Sequence, residues 1–213
     1  MVIQTQGLLF DMDGVLISSV GSARRCWRAW CRLYSVPDAD NFELPHGVRA
    51  SDVIAMLRPD VDQAEALRAI EDIELDDVAG IQVLPGVREL LSSLPPERWA
   101  IVTSATRRLL EGRLREAGLP EPPHIVTAEE VVRGKPDPEP YRRGAQLLGY
   151  AAGDCIVVED APSGVAAGVA AGCRVIAVLG SATPEQLSAA NWIVPSLAGM
   201  TVAMTDQGLQ IER

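Results

Sequence analysis

Apolar and polar positions change texture twice along this chain. Near the start, Gly7-Leu8-Leu9-Phe10 is a short continuous apolar run that breaks into Asp11-Met12-Asp13-Gly14-Val15. Such a run predicts a strand of a parallel sheet buried on both faces, with the acidic residues at its carboxyl end. From 18 to 84 the pattern is helical, with no convincing strand. Ala23, Trp27, Trp30, Cys31 and Tyr34 recur near the three-to-four spacing of an amphipathic helix that Ser22 could cap, and Pro37, Asp38 and Asp40 break it. A polar loop over 45–52 leads into a helical run over 53–57, ended by Pro59 and Asp60, and a longer helix is predicted over 63–78. From Pro85-Gly86 onward, apolar runs at 99–102, 125–126, 155–158, 174–178 and 192–194 alternate with helical segments at 87–94 and 106–117, one that follows the loop over 134–141 and ends near Gly149, and one at 163–171. That alternation predicts an α/β fold on a parallel sheet. Thr127-Ala128-Glu129-Glu130 has the capping-box pattern before a short helix, Thr183-Pro184-Glu185 is expected to open another, and 201–211 reads as a hairpin turning at Asp206-Gln207-Gly208.

Composition narrows the class. The 213 residues are 47% hydrophobic, enough for a sizeable core and too apolar for disorder. The formal charge of −10, from 19 basic and 29 acidic residues, argues against nucleic acid as a partner. Arg24, Arg25, Arg28 and Arg32 read as a solvated helix face. No apolar run approaches the roughly 18 residues that a membrane span needs, and no signal peptide is visible. Cys26, Cys31, Cys155 and Cys173 lack Cys-x-x-Cys spacing, and with two histidines a zinc site is improbable. Reduced, buried thiols in a cytoplasmic monomer without a membrane partner are the expectation.

The candidate chemistry sits where strands end, which is where open α/β sheets bind ligands. Asp11 and Asp13 follow the first apolar run, Thr103 and Ser104 the second, and Glu159 and Asp160 the one at 155–158; Lys135 lies in the proline-stiffened loop Gly134-Lys135-Pro136-Asp137-Pro138. Each motif alone has a plainer explanation: Asp13-Gly14 as a hairpin turn, Thr103 and Ser104 as a helix cap, Lys135 as a solvated charge, Glu159-Asp160 as a turn. Together and in this order they predict a site for a hard cation and a phosphate. Asp11, Asp160 and a backbone carbonyl near Asp13 supply oxygens to Mg²⁺, with Glu159 beside them or behind. Asp11 is the natural nucleophile and Asp13 the proton donor and acceptor, while Thr103, the Ser104 amide and Lys135 hold the phosphoryl group.

These four segments, Asp11-Met-Asp-Gly-Val, Thr103-Ser104, Gly134-Lys135-Pro136 and Val158-Glu159-Asp160-Ala161-Pro162-Ser163-Gly164, resemble the signature motifs of the haloacid dehalogenase-like (HAD) superfamily over essentially the whole chain. The resemblance implies a Rossmann-like parallel-sheet core, residues 1–17 and 85–213, with an inserted α-helical cap domain at 18–84. Within that superfamily, Ile101-Val-Thr-Ser, Ile125-Val-Thr-Ala and Ala170-Ala-Gly-Cys are similar to phosphatases of hexitol phosphates, 2-deoxyglucose 6-phosphate and glycerol 3-phosphate, so the implied partner is a small phosphate ester. His46-Gly47-Val48-Arg49 is similar to the cap loop of that group, which implies a substrate-facing role for His46 and Arg49. Val15 stands where many members carry Thr, and Ser18-Ser19 where Asp-Ser is common. The rivals are a mutase of the β-phosphoglucomutase type and a non-catalytic phosphate-binding module. Such mutases carry a histidine on the first cap helix, where this chain has Ala23, and a phosphonatase would want a cap lysine, which 18–84 lacks.

Overall fold

The structure is a computed structural model that describes residues 2–213. In chain order, strands β1 (Val2–Thr5), β2 (Gly7–Phe10) and β3 (Ile17–Ser18) precede three helices, α1 (Val20–Leu33), α2 (Ala50–Leu57) and α3 (Gln63–Asp76). Then come β4 (Gln82–Val83), α4 (Val87–Ser93), β5 (Trp99–Val102), α5 (Arg107–Ala117), β6 (Ile125–Val126) and α6 (Glu139–Leu147). The chain closes with β7 (Cys155–Glu159), α7 (Pro162–Ala171), β8 (Arg174–Val178), β9 (Trp192–Val194), β10 (Thr201–Thr205) and β11 (Gly208–Glu212).

Six strands form one parallel sheet in the order β6-β5-β2-β7-β8-β9, so the fold class is the expected α/β with a parallel sheet. The apolar run of β2 is central, and every residue of β2, β5 and β7 is buried. Burial on both faces is the physical reason these strands read as continuous runs rather than alternating ones. Their odd and even side chains feed two separate apolar clusters, one containing Leu8, Phe10 and Ile101, the other Leu9, Val102 and Val157. Because β2, β5 and β7 are adjacent and parallel, Asp11, Thr103 and Glu159-Asp160 emerge side by side at one edge.

The helical stretch has its own apolar cluster around Trp27, Trp30, Ile54 and Ile70. The Trp30 indole nitrogen donates to the Ala66 carbonyl (2.9 Å), locking α1 to α3. Two departures from the sequence reading occur here. Residues 18–84 do contain strand: β3 and β4 pair antiparallel, Ile17 with Val83 and Ser18 with Gln82, forming a neck where the chain leaves and re-enters the sheet. Helix α1 begins at Val20 rather than at a Ser22 cap, and Ser22 Oγ instead donates back to the Ser19 carbonyl (2.9 Å).

Elsewhere Thr127 and Glu130 form the expected capping box, around a single 3₁₀ turn. The helix expected from Thr183 is absent; the segment is a series of turns whose buried anchor is Leu187. The C-terminal hairpin is present, and β1 pairs with β11 (Val2 with Glu212) to make it three-stranded. No helix among the described residues is long and apolar enough to cross a membrane. All four cysteines are free and buried.

Candidate active site

The chain turns out of β2 at Asp11, whose amide donates to the Val158 carbonyl (2.9 Å). Lys135 Nζ donates to Asp11 Oδ1 (2.6 Å) and to Glu159 Oε1 (2.7 Å), and its side chain is fully buried. Glu159 is a hub: Oε1 also accepts from the Tyr141 hydroxyl (2.7 Å), and Oε2 accepts from the amides of Asp160 (2.9 Å) and Ala161 (3.0 Å). Gly164 makes room for that carboxylate, since a Cβ there would lie 1.7 Å from Oε1. The Lys135–Pro136 peptide is cis.

Asp11, Glu159 and Asp160, all buried, can each present an oxygen within 4.8 Å of the others. Burial raises Asp11 to about 7 against the pull of Lys135, with Glu159 and Asp13 adding to the rise. Asp160 is pushed well above the usual carboxylate range, by burial first and then by Glu159 and Asp11. Burial works against the Lys135 ammonium, but Asp11 and Glu159 outweigh it and raise its pKa. Three carboxylates against one ammonium leave negative charge that a cation would offset, and carboxylate oxygens suit a hard divalent ion. Gly14 lets the Asp160 carboxylate close on this turn: its φ is +80°, and a Cβ there would meet Asp160 Oδ2 at 1.9 Å. Because Glu159 already accepts four hydrogen bonds, Asp11 and Asp160 are the carboxylates left to face a metal.

Asp13 stands apart from that cluster. Its Oδ1 accepts from Ser19 Oγ (2.5 Å) and its Oδ2 from Arg113 Nη1 (2.6 Å), leaving its main-chain carbonyl as its remaining oxygen for a cation. Thr103 is buried, and its hydroxyl oxygen accepts from the Ala105 amide (3.1 Å), so it caps the following turn while keeping its own proton to donate. Ser104 Oγ donates to the Gly47 carbonyl (2.7 Å) and Ser163 Oγ to the His46 carbonyl (2.8 Å), which seats the loop before α2 on the sheet edge. His46 is half-buried against a cavity of about 90 Å³ that Asp11, Asp13, Thr103, Ser104 and Asp160 also line. Burial and then Arg24 lower its pKa.

Arg49 is not brought to that cavity. Its Nε and Nη2 donate to Asp52 (2.9 Å each) and its Nη1 to the Val131 carbonyl (3.1 Å), while its stem packs over Gly134. The expected substrate contact is therefore a clasp on the loop that carries Lys135. Its cause is local: Asp52, three residues on, captures the guanidinium at the start of α2.

The sequence reading passed over four groups at this site. Glu71 and Glu74 on α3 line the cavity, both nearly fully buried. Glu71 accepts from the Thr106 hydroxyl, and Glu74 pairs with Arg113 Nη2 (3.4 Å). Burial raises Glu74 to about 7, opposed by Arg113. Tyr141 lies under Lys135, with its ring centroid 5.0 Å from Nζ. The legible signal was Arg113, a charge set among Leu109, Leu110, Leu114 and Ala117 on the apolar face of α5.

Residues 5–172 match the haloacid dehalogenase-like hydrolase family. Hexitol phosphatase A of Escherichia coli (strain K12) is 41% identical, over 95% of this chain and 96% of that one. Glycerol-1-phosphate phosphohydrolase 2 of Saccharomyces cerevisiae is 35% identical, over 83% and 75%. A crystal structure of a hydrolase from Pseudomonas syringae shares the fold with a TM-score of 0.79 at 23% identity, over 90% and 94%. The chain belongs to the haloacid dehalogenase-like hydrolases.

Proposed function

We propose that this phosphoric monoester hydrolase acts on small phosphorylated sugars or polyols, through a phosphoryl group held transiently on Asp11. The observation that carries the reading is Asp11 bound by Lys135 through Oδ1 while lining the cavity that Asp13 shares. Asp11 attacks phosphorus; the new bond to its carboxylate forms as the bond to the substrate oxygen breaks. Asp13 gives that departing oxygen a proton. Asp13 then takes a proton from a water that attacks the phospho-aspartate, releasing inorganic phosphate and restoring Asp11. The Thr103 hydroxyl and Ser104 amide hold phosphoryl oxygens, and Lys135 balances charge through both steps. Asp11, Asp160 and the Asp13 carbonyl would hold Mg²⁺, with Glu159 behind them, and when bound it neutralises phosphate charge.

Residues 18–84, with their own apolar cluster and the β3–β4 neck, act as a cap over a core of 1–17 and 85–213. The leaving group then lies between apolar Trp27 and Ile70 and polar His46, Glu71 and Glu74, a mixture suited to carbon chains bearing hydroxyls. Ala23, on the cavity wall, offers no proton-handling group of the kind a mutase would use there, which favours release to water. The protein is proposed to work as a cytoplasmic monomer.

The deciding experiment is a panel of hexitol, hexose and glycerol phosphates with Mg²⁺, ranked by kcat/KM and followed by both inorganic phosphate and the organic product. Free phosphate with the dephosphorylated alcohol is expected. An isomeric phosphate ester without free phosphate, or no turnover of any member, would refute the reading.

A further inference from the structure

Charge is unevenly shared around the cavity. Besides Asp11 and Asp160, three carboxylates line it: Asp13 and, from α3, Glu71 and Glu74. Among the described residues of its wall, Arg113 is the one arginine or lysine, and it already bonds Asp13 Oδ2 (2.6 Å) and Glu74 (3.4 Å). Lys135 is engaged by Asp11 and Glu159. Burial and then Arg24 lower the pKa of His46, so it brings no charge at neutral pH. Glu71 accepts from the Thr106 hydroxyl at Oε1 and from Arg108 Nη1 at Oε2 (3.4 Å), and the same guanidinium bonds Asp72 (2.6 Å). A carboxylate offers about four acceptor sites, so after those two bonds Glu71 still has oxygen lone pairs for another donor.

We infer that Glu71 is a specificity-determining residue, which admits esters whose far end carries hydroxyls and turns away those whose far end carries a carboxylate or a second phosphate. A hydroxyl donates to Glu71 and completes its hydrogen bonding. An anion in the same place finds no unengaged cation on the wall and meets a like charge, and both effects are costly away from water. Selection of this kind rests on repulsion of the wrong ester as much as on attraction of the right one. The inference rests on the phosphatase reading and narrows its substrates to esters of uncharged polyols and sugars. The plainer account is that Glu71 only ties α3 to α5 through Thr106. Glutamine would make that tie through the same oxygen, without a charge to bury, so the tie alone does not explain a carboxylate on the cavity wall.

Two matched pairs isolate the charge, because the members of each differ only at the far end, a CH2OH group in one and a carboxylate in the other. They are glycerol 3-phosphate with 3-phosphoglycerate, and glucitol 6-phosphate with 6-phosphogluconate. With Mg²⁺ and release of inorganic phosphate as the readout, the wild type should favour the neutral member of at least one pair by roughly 100-fold or more in kcat/KM. In that pair Glu71→Gln should raise kcat/KM for the acid by roughly 10-fold or more, while that of the neutral ester holds or falls. A purely structural role predicts no such gain, since a weakened fold lowers both. Far-ultraviolet circular dichroism checks folding; if Glu71→Gln is unfolded, Glu74→Gln decides by the same gain. Wild-type ratios near one in both pairs, or a folded variant with no gain on the acid, overturn the inference and leave the phosphatase reading in place. If neither neutral ester releases phosphate from the wild type, the phosphatase reading falls, and this inference with it.

Discussion

Gly164→Ala sets two physical effects against each other, and their magnitudes predict the sign. Gly164 lies in the first turn of α7, so helix propensity alone favours alanine by up to about 1 kcal/mol. The added Cβ, however, would lie 1.7 Å from Glu159 Oε1, 1.9 Å from its Cδ and 2.5 Å from Oε2. The carboxylate must retreat by about 1 Å or more, and its bonds of 2.7 Å to Lys135 and Tyr141 do not survive that. Breaking a buried charge pair costs about 3–5 kcal/mol. The net expectation is a loss of roughly 2–4 kcal/mol, or roughly 5–15 °C in Tm for a chain of this size. Urea titration and thermal melts followed by circular dichroism measure it. Gly21→Ala is the matched control: it also lies in a first helical turn, and its Cβ would meet nothing closer than Arg25 Nη1 at 3.9 Å. That variant should be neutral or more stable by up to about 1 kcal/mol. A Gly164→Ala protein as stable as wild type would show that Glu159 can swing aside freely, and the account of it as the hub would be wrong. Activity should fall with stability by roughly 10-fold or more, because Lys135 loses one of its two anchors.

Other substitutions test the remaining roles. Asp11→Asn should bring turnover on any phosphate ester to background with the fold intact; a tenth of the wild-type rate would make Asp11 a ligand only. A chelator should abolish activity and Mg²⁺ restore it, and Mg²⁺ should raise the Tm of the wild type but not of Asp160→Asn; full turnover in chelator would refute the metal assignment. Because burial lifts Asp11 from 3.8 to about 7, the folded state holds a proton that the unfolded state releases, so metal-free stability should fall as pH rises through that interval. Asp11→Asn should flatten the fall, as measured by urea titration in chelator; an unchanged slope would mean Asp11 is not the titrating group. Arg49→Ala should reduce kcat/KM equally for polyol and aryl phosphates, as expected of a clasp on the Lys135 loop; a loss confined to polyol phosphates would return Arg49 to the substrate.

How far the sequence carried depended on the range of each interaction. The central strands were legible because full burial writes itself as a local apolar run, and Asp11, Thr103 and Glu159 were legible because strand ends in a parallel sheet share an edge. Strand β1 was not placed, because its partner is β11 at the far end of the chain, and neither has a pattern that names the other. The neck was invisible for a similar reason: Ile17 and Val83 are a two-residue ladder closed across the whole helical insertion. Arg49 was read from its loop as facing substrate, whereas the nearby Asp52 holds its guanidinium here. Arg113 was the opposite case, where a lone charge on an apolar helix face advertised a buried partner without saying which.

Polar bonds join the helical layer to the sheet edge around the cavity. Ser104 to Gly47, Ser163 to His46, Arg49 to Val131, Thr106 to Glu71 and Arg113 to Glu74 all cross it, and Leu75 and Val78 of the helical stretch also pack against the apolar cluster of the sheet. Apolar surfaces pressed together resist parting in water, but a hydrogen bond exchanged for water costs only about 0.5–1.5 kcal/mol net. Four of the five polar contacts are made by at least one residue that lines the cavity. The groups that join the layer to the sheet edge are therefore largely those that line the cavity.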